Sequence, residues 1–295
     1  MTGTISVMTI VAMAISCLAG FAIPVILFFF FRKGKNADRL PFFVGCGVML
    51  LFALVLESAI HRIVLGSSVG ETIQNNIWLY AIYGGLMAGL FEETGRFVAF
   101  KTVLRKKNDK DSNALMYGAG HGGLEAAVLL GISMLGNIVL AILMNSGNIS
   151  AVTDSITGDA LGQLEAGLET LSKSPSYTFL IGIMERCFAA TLQIALSVIV
   201  WFAAKNKNRL YLYPAAVLIH CFVDALAAVL ARYNVPNLAV EAVICVLAAL
   251  TAVFAKKTWN VNMTGRYTFP GTRQDRPPAP AAGESAAQPR LPAHR

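Results

Sequence analysis

Three short stretches of this chain place titratable side chains in apolar surroundings. The first is Gly89-Leu90-Phe91-Glu92-Glu93-Thr94-Gly95-Arg96-Phe97; the second holds His121 and Glu125, the third His220 and Asp224. An ionisable group in mid-membrane costs on the order of 2.5–3.5 kcal/mol by insertion scales, so such groups need a compensating reason. Arg96 stands four residues after Glu92 and three after Glu93, a helical ion-pair spacing, yet it neutralises only one of the two carboxylates. His121 and Glu125 are four apart, as are His220 and Asp224, so each pair shares a helix face. Imidazoles and carboxylates in a low-dielectric pocket suit hydrolysis. One carboxylate acts as general base on a water, while histidines share the proton and stabilise the developing oxyanion. No serine, threonine or cysteine stands at a matching position, which makes water the simpler nucleophile. Two alternatives use the same residues. His121, His220 and Glu92 form a zinc donor set, although HExxH is absent. A proton- or ion-coupled transporter also uses intramembrane acids and histidines, but no inverted repeat is visible.

The elements that must position these groups are helices. With 56% hydrophobic and 14% charged residues, the chain reads as an all-α, polytopic transmembrane bundle. Apolar runs of spanning length fall at about 5–31, 40–64, 77–104, 113–144, 177–204, 211–231 and 237–255, giving seven candidate helices. The fourth run carries Gly118, Gly120, Gly122, Gly123, Gly131 and Gly136, which predicts a tilt, a break or close helix contacts. Basic residues gather in alternate loops: Arg32, Lys33, Lys35 and Arg39; Lys101, Arg105, Lys106, Lys107 and Lys110; Lys205, Lys207 and Arg209. With the basic C-terminal segment they predict an outside N-terminus and a cytoplasmic C-terminus. The net charge of +7 reflects this bias, and no nucleic-acid partner is expected. The first run lacks a basic n-region and reads as an uncleaved helix, and the five cysteines read as free thiols. A membrane domain over 1–257 and a disordered cytoplasmic tail over 258–295, with Pro277-Pro278-Ala279-Pro280, complete the division.

Measured from the cytoplasmic helix ends, Glu92, Glu93, His121 and His220 all lie roughly 12–14 Å deep, on three helices, so they can converge on one cavity. Toward the other side, Glu57, His61 and Arg62 line one helix face, and Glu185-Arg186 is expected to pair with that group. In the 145–176 loop, Leu161, Leu164, Leu168 and Leu171 recur at helical spacing opposite Glu165 and Glu169, predicting an amphipathic helix on the outer surface.

Taken in order, Glu92-Glu93-x-x-Arg96, Tyr117-x-x-x-His121 and His220-x-x-x-Asp224 resemble the three motifs of the CAAX-protease and bacteriocin-processing superfamily of glutamic-type intramembrane proteases. In particular, the EETGR, HGGLE and HxxxD segments resemble the YhfC family of bacterial membrane peptidases, over about residues 5–255. The resemblance implies a multi-pass endopeptidase of the bacterial plasma membrane, acting on membrane-embedded or hydrophobic peptides without a cofactor, zinc being the alternative. It implies Glu92 as general base assisted by His121, Glu93 and Arg96 as braces, and His220 with Asp224 at the tetrahedral intermediate. The arginine is one residue closer than in EExxxR, Tyr117 replaces phenylalanine and Asp224 replaces asparagine, so Glu92 and Glu93 are interchangeable at this level. Glu125 has no counterpart in the superfamily pattern and is expected to support the site. The cavity is expected to open toward the cytoplasm.

Overall fold

The computed structural model describes residues 4–267, all helix and short connections, with no strand among them. The long helices are α1 (Val7–Gly34), α2 (Leu40–Leu65), α4 (Ile77–Lys101), α5 (Ser112–Asn145), α7 (Ser176–Lys205), α8 (Leu212–Arg232) and α9 (Asn237–Tyr267). Two shorter ones, α3 (Ser68–Asn75) and α6 (Asp159–Lys173), lie in the connections. Polar caps set several starts: Ser6 accepts from the Thr9 N–H, and Asn76 accepts from the N–H groups of Trp78 and Leu79.

Six of these helices are long and apolar enough to cross a bilayer. The remaining long one, α4, has 25 residues, about 37 Å at the α-helical rise, and its carboxylates and arginine are what lower its apolarity. It is shielded by packing against α8 and α2. Helix α7 is the axis of the bundle: 67% of its most apolar stretch is buried, against 17–28% for the other five spans. Outward faces stay apolar, as Ile26, Phe30, Leu218, Phe222 and Val253 show, and these are the surfaces a lipid environment covers.

The basic loops meet at one end, as the charge pattern requires. Lys110 donates to Asp38 at 3.0 Å, and Lys205 donates to Asp111 at 2.7 Å. At the other end the Ile5 N–H donates to Asn145 at 2.7 Å, and the Thr9 and Ser176 hydroxyls lie 2.8 Å apart. The amphipathic helix expected in the long connection is α6; Leu168 and Leu171 are buried, and Leu171 packs with Ile5, Met13 and Ala141.

Helices α2 and α5 cross at van der Waals limit. A Cβ on Gly120 would lie 1.9 Å from the Phe42 carbonyl oxygen, so only glycine permits this approach. Both helices widen into π-helical turns, Met49–Glu57 in α2 and Ala127–Ile132 in α5; only the second falls in the run whose glycines predict an irregularity. One boundary differs from expectation. Helix α9 continues to Tyr267, ten residues into the segment assigned to the tail, because 258–263 contains no glycine or proline and Trp259 packs edge-on to Phe202 at 5.9 Å. The remainder of the expected tail, including Pro277–Pro280, lies outside the described residues.

Candidate active site

Glu92 and Glu93 are adjacent on α4 and therefore diverge by about 100° around the helix. Glu92 Oε2 lies 2.8 Å from His121 Nε2 on α5 and 3.9 Å from His220 Nε2 on α8. Glu93 turns the other way. Its carboxylate receives the Arg96 guanidinium, and its Oε1 lies 2.9 Å from His220 Nδ1. The three sequence segments thus converge at one level. Glu93, Arg96 and His121 are fully buried, while Glu92 and His220 keep 7% and 2% exposure.

These exposures separate the two glutamates, which spacing alone left interchangeable. Glu92 lines a cavity of about 630 Å³ together with His220, Asp224 and Glu125, whereas Glu93 and Arg96 lie behind that wall. Asp224 sits one turn from His220, with Oδ2 3.5 Å from Nε2 and its side chain 39% exposed. The cavity continues past Gly182, Glu185 and Arg186 to the Asn234–Asn237 turn, so it runs toward the end opposite the basic loops. That corrects the expected cytoplasmic opening, which rested on depth counted from helix ends and carried no information about which end was packed shut.

Gln193 is the residue that motif spacing missed. Its Nε2 donates to Glu92 at 2.9 Å and to Glu125 at 3.0 Å, and its Oε1 accepts from Arg96. A glutamine in the apolar middle of α7, at the depth of the other groups, was the available signal. Glu125 belongs to this wall through Gln193, and it also accepts from Arg186 at 2.7 Å. Arg186 additionally pairs with Glu185. The expected pairing of Glu185-Arg186 with the Glu57 group is therefore replaced by a pairing with Glu125, because α7 presents Arg186 to α5. Glu57 instead bonds to His61 at 3.1 Å, and His61 to the Tyr83 hydroxyl at 3.0 Å.

Two imidazoles and several carboxylates thus gather inside the helical bundle of an integral, multi-pass membrane protein. The family model for the YhfC intramembrane metalloproteases matches residues 19–245, and the chain belongs to that family, a family of intramembrane proteases. It is 34% identical over 255 residues to the uncharacterized membrane protein YhfC of Bacillus subtilis (strain 168), covering 85% of this chain and 97% of that protein. No solved structure matches.

The family's description implies a metal, and the donors can be tested for it. Among the described residues, no three His, Cys, Asp or Glu side chains form a ready metal-binding group. The donor chemistry nevertheless fits zinc. His121 Nε2 bonds to Glu92 Oε2, His220 Nε2 lies 3.9 Å from the same oxygen and 3.5 Å from Asp224, and Glu93 holds the opposite nitrogen of His220, the carboxylate–histidine support typical of zinc ligands. His121 Nδ1 lacks a protein partner, so only one of the two imidazoles carries that support.

Proposed function

We propose that the protein is an endopeptidase of the bacterial plasma membrane that hydrolyses peptide bonds of membrane-embedded or hydrophobic substrates at the Glu92–His121–His220 site. The observation that carries this reading is the gathering of His121 Nε2, at 2.8 Å, and His220 Nε2, at 3.9 Å, around Glu92, whose side chain lines the cavity with His220. Family membership supports the protease class and favours a metal-dependent form.

Zinc would be held by His121, His220 and Glu92, where it would polarise the substrate carbonyl and lower the pKa of a bound water toward about 7. The remaining chemistry belongs to the chain. Glu93 accepts the Nδ1 proton of His220 and so keeps the Nε2 lone pair facing the cavity. Arg96 neutralises Glu93 and, through Gln193, orients the acceptors of Glu92 and Glu125. Asp224, beside His220 and open to the cavity, is placed to pass a proton to the leaving amine.

A second reading keeps the same residues without metal. The direct 2.8 Å contact between Glu92 and His121 favours it, because a carboxylate paired with an imidazole can activate water unaided. Metal content and cleavage of the purified protein in lipid nanodiscs separate the two. The first reading expects stoichiometric zinc, loss of cleavage on chelation and recovery on zinc addition; the second expects cleavage that survives full chelation. Peptide hydrolysis itself is tested by comparing new protein N-termini in cells producing wild-type protein or Glu92→Gln at equal expression. Termini within or beside transmembrane segments should vanish in the variant. Identical termini in both would overturn the protease assignment.

A further inference from the structure

The cavity that exposes Glu92 is unevenly charged. Glu92, Glu125, Glu185, Asp224 and Glu241 line it, against the cations Arg186 and, when protonated, His220. Arg186 is already shared between Glu125 and Glu185. Glu241, on the second turn of α9 at the far wall, is in a different position. The residue is 7% exposed, and its Oε2 is buried without any protein hydrogen-bond partner. A buried carboxylate oxygen left unpaired is costly, and the charged groups facing Glu241, Glu185 and Arg186, do not bond to it. A cation entering with the ligand would answer both the surplus of acid at the wall and the orphaned oxygen.

Resting on the reading of this cavity as the site of peptide hydrolysis, we propose that Glu241 is a specificity residue that binds a basic side chain of the substrate, a lysine or arginine placed near the scissile bond. The wall between the two ends is continuous. Glu92, Gln193, Glu125, Arg186 and Glu185 are linked in that order by hydrogen bonds, and α7 carries Gln193 and Arg186 seven residues apart, about 10 Å along its axis. A substrate segment lying along this wall would set its peptide bond at Glu92 and its basic side chain toward Glu241. In a membrane that disfavours charged side chains, such a site selects segments that are apolar except at one position.

The test uses the full-length protein in nanodiscs, carrying Glu92→Gln so that binding is read without turnover. The probes are two sets of Leu/Ala-rich peptides about 20 residues long, a length that spans a bilayer, with either lysine or norleucine at each successive position. Binding is read by fluorescence anisotropy. The expected result is a register at which the lysine peptide binds about tenfold more tightly than its norleucine counterpart, the low end for a desolvated charge pair. Adding Glu241→Gln should erase that preference, and adding Glu241→Asp should retain most of it. Equal binding of the two sets at every register, or a lysine preference that persists in Glu241→Gln, would overturn the proposal. Cleavage of the same peptides by the wild-type protein is scored separately. Lysine-selective binding with no cleavage would reject the hydrolase reading, while cleavage blind to lysine would reject the role of Glu241 alone.

Discussion

His220 Nδ1 lies 2.9 Å from Glu93 Oε1, and neither side chain has more than 3% exposure. The contact ties the α8 histidine to the α4 carboxylate that the cavity does not reach, while the neighbouring carboxylate on the same helix faces the cavity. The pair of adjacent glutamates therefore divides into one that braces His220 and one that faces the cavity.

The Glu93–Arg96 pair is sealed, both side chains having no exposure. Arg96→Ala should destabilise the protein by about 3–5 kcal/mol, because it strands a buried carboxylate. Combining Arg96→Met with Glu93→Gln should recover most of that loss, since both charges then disappear together. Denaturant unfolding in detergent micelles measures the cycle. An Arg96→Ala protein as stable as wild type would show that Glu93 is neutral in the folded state.

Gln193 contacts Glu92, Glu125 and Arg96 but supplies no reacting atom. Gln193→Leu should therefore leave a folded, membrane-inserted protein whose turnover falls about 10–100-fold, the usual effect of removing a group that orients active-site ligands. Single-turnover cleavage measures it. An unchanged rate would mean that Glu92 is held well enough by His121 alone.

Helix crossing gives a test at Gly120. Gly120→Ala should cost about 1–3 kcal/mol, since the added methyl meets the Phe42 backbone and must push α2 from α5. Because His121 follows directly, cleavage should fall as well. Gly136→Ala on the same helix meets nothing within 4 Å and should be neutral or slightly stabilising. Thermal melting of both variants decides. Equal behaviour would mean that the crossing is looser than its geometry.

At the basic end, Lys110, Asn113 and Lys107 hold the Asp38 carboxyl below its usual range, the Lys110 hydrogen bond being the main cause. The folded-state value is depressed, so this contribution is complete above the ordinary aspartate pKa of about 4 and is lost as pH falls through the lower folded value. Asp38→Asn should lower the melting temperature slightly at neutral pH and in low salt. The difference should shrink as pH falls below the ordinary aspartate value of about 4 and vanish below the lower folded one. A pH-independent difference would assign the effect to the Asn113 contacts instead.

Much of this arrangement was legible because a bilayer makes polarity conspicuous. Glu92, Glu93, His121 and His220 stood out against apolar neighbours, and counting depth from the basic loops brought them to one level, where the helices do join them. Rotation about the helix axes was not legible. Which of two adjacent glutamates faces the cavity, and whether Arg186 meets Glu57 or Glu125, depend on how α4, α5 and α7 are turned. The π-helical turn at Ala127–Ile132 shifts the rotation of α5, and the glycines that flag an irregularity there do not give its angle. Gln193 escaped because an amide carries no charge to flag it, although its three partners bind it into the site as firmly as any of the acids.

Four rings follow one another from the site to the basic surface. Tyr117 lies against His121 with centroids 6.1 Å apart, Phe100 against Tyr117 at 4.6 Å, and Trp201 against Phe100 at 5.0 Å. Trp201 then donates to Asp111, the partner of Lys205 at the loop surface. Polar hydrolysis inside a membrane carries an electrical risk, since a wet path from face to face would short-circuit the proton gradient. The aromatic column packs the bundle between the site and the basic loops, an apolar stretch that a proton path to that face would have to cross.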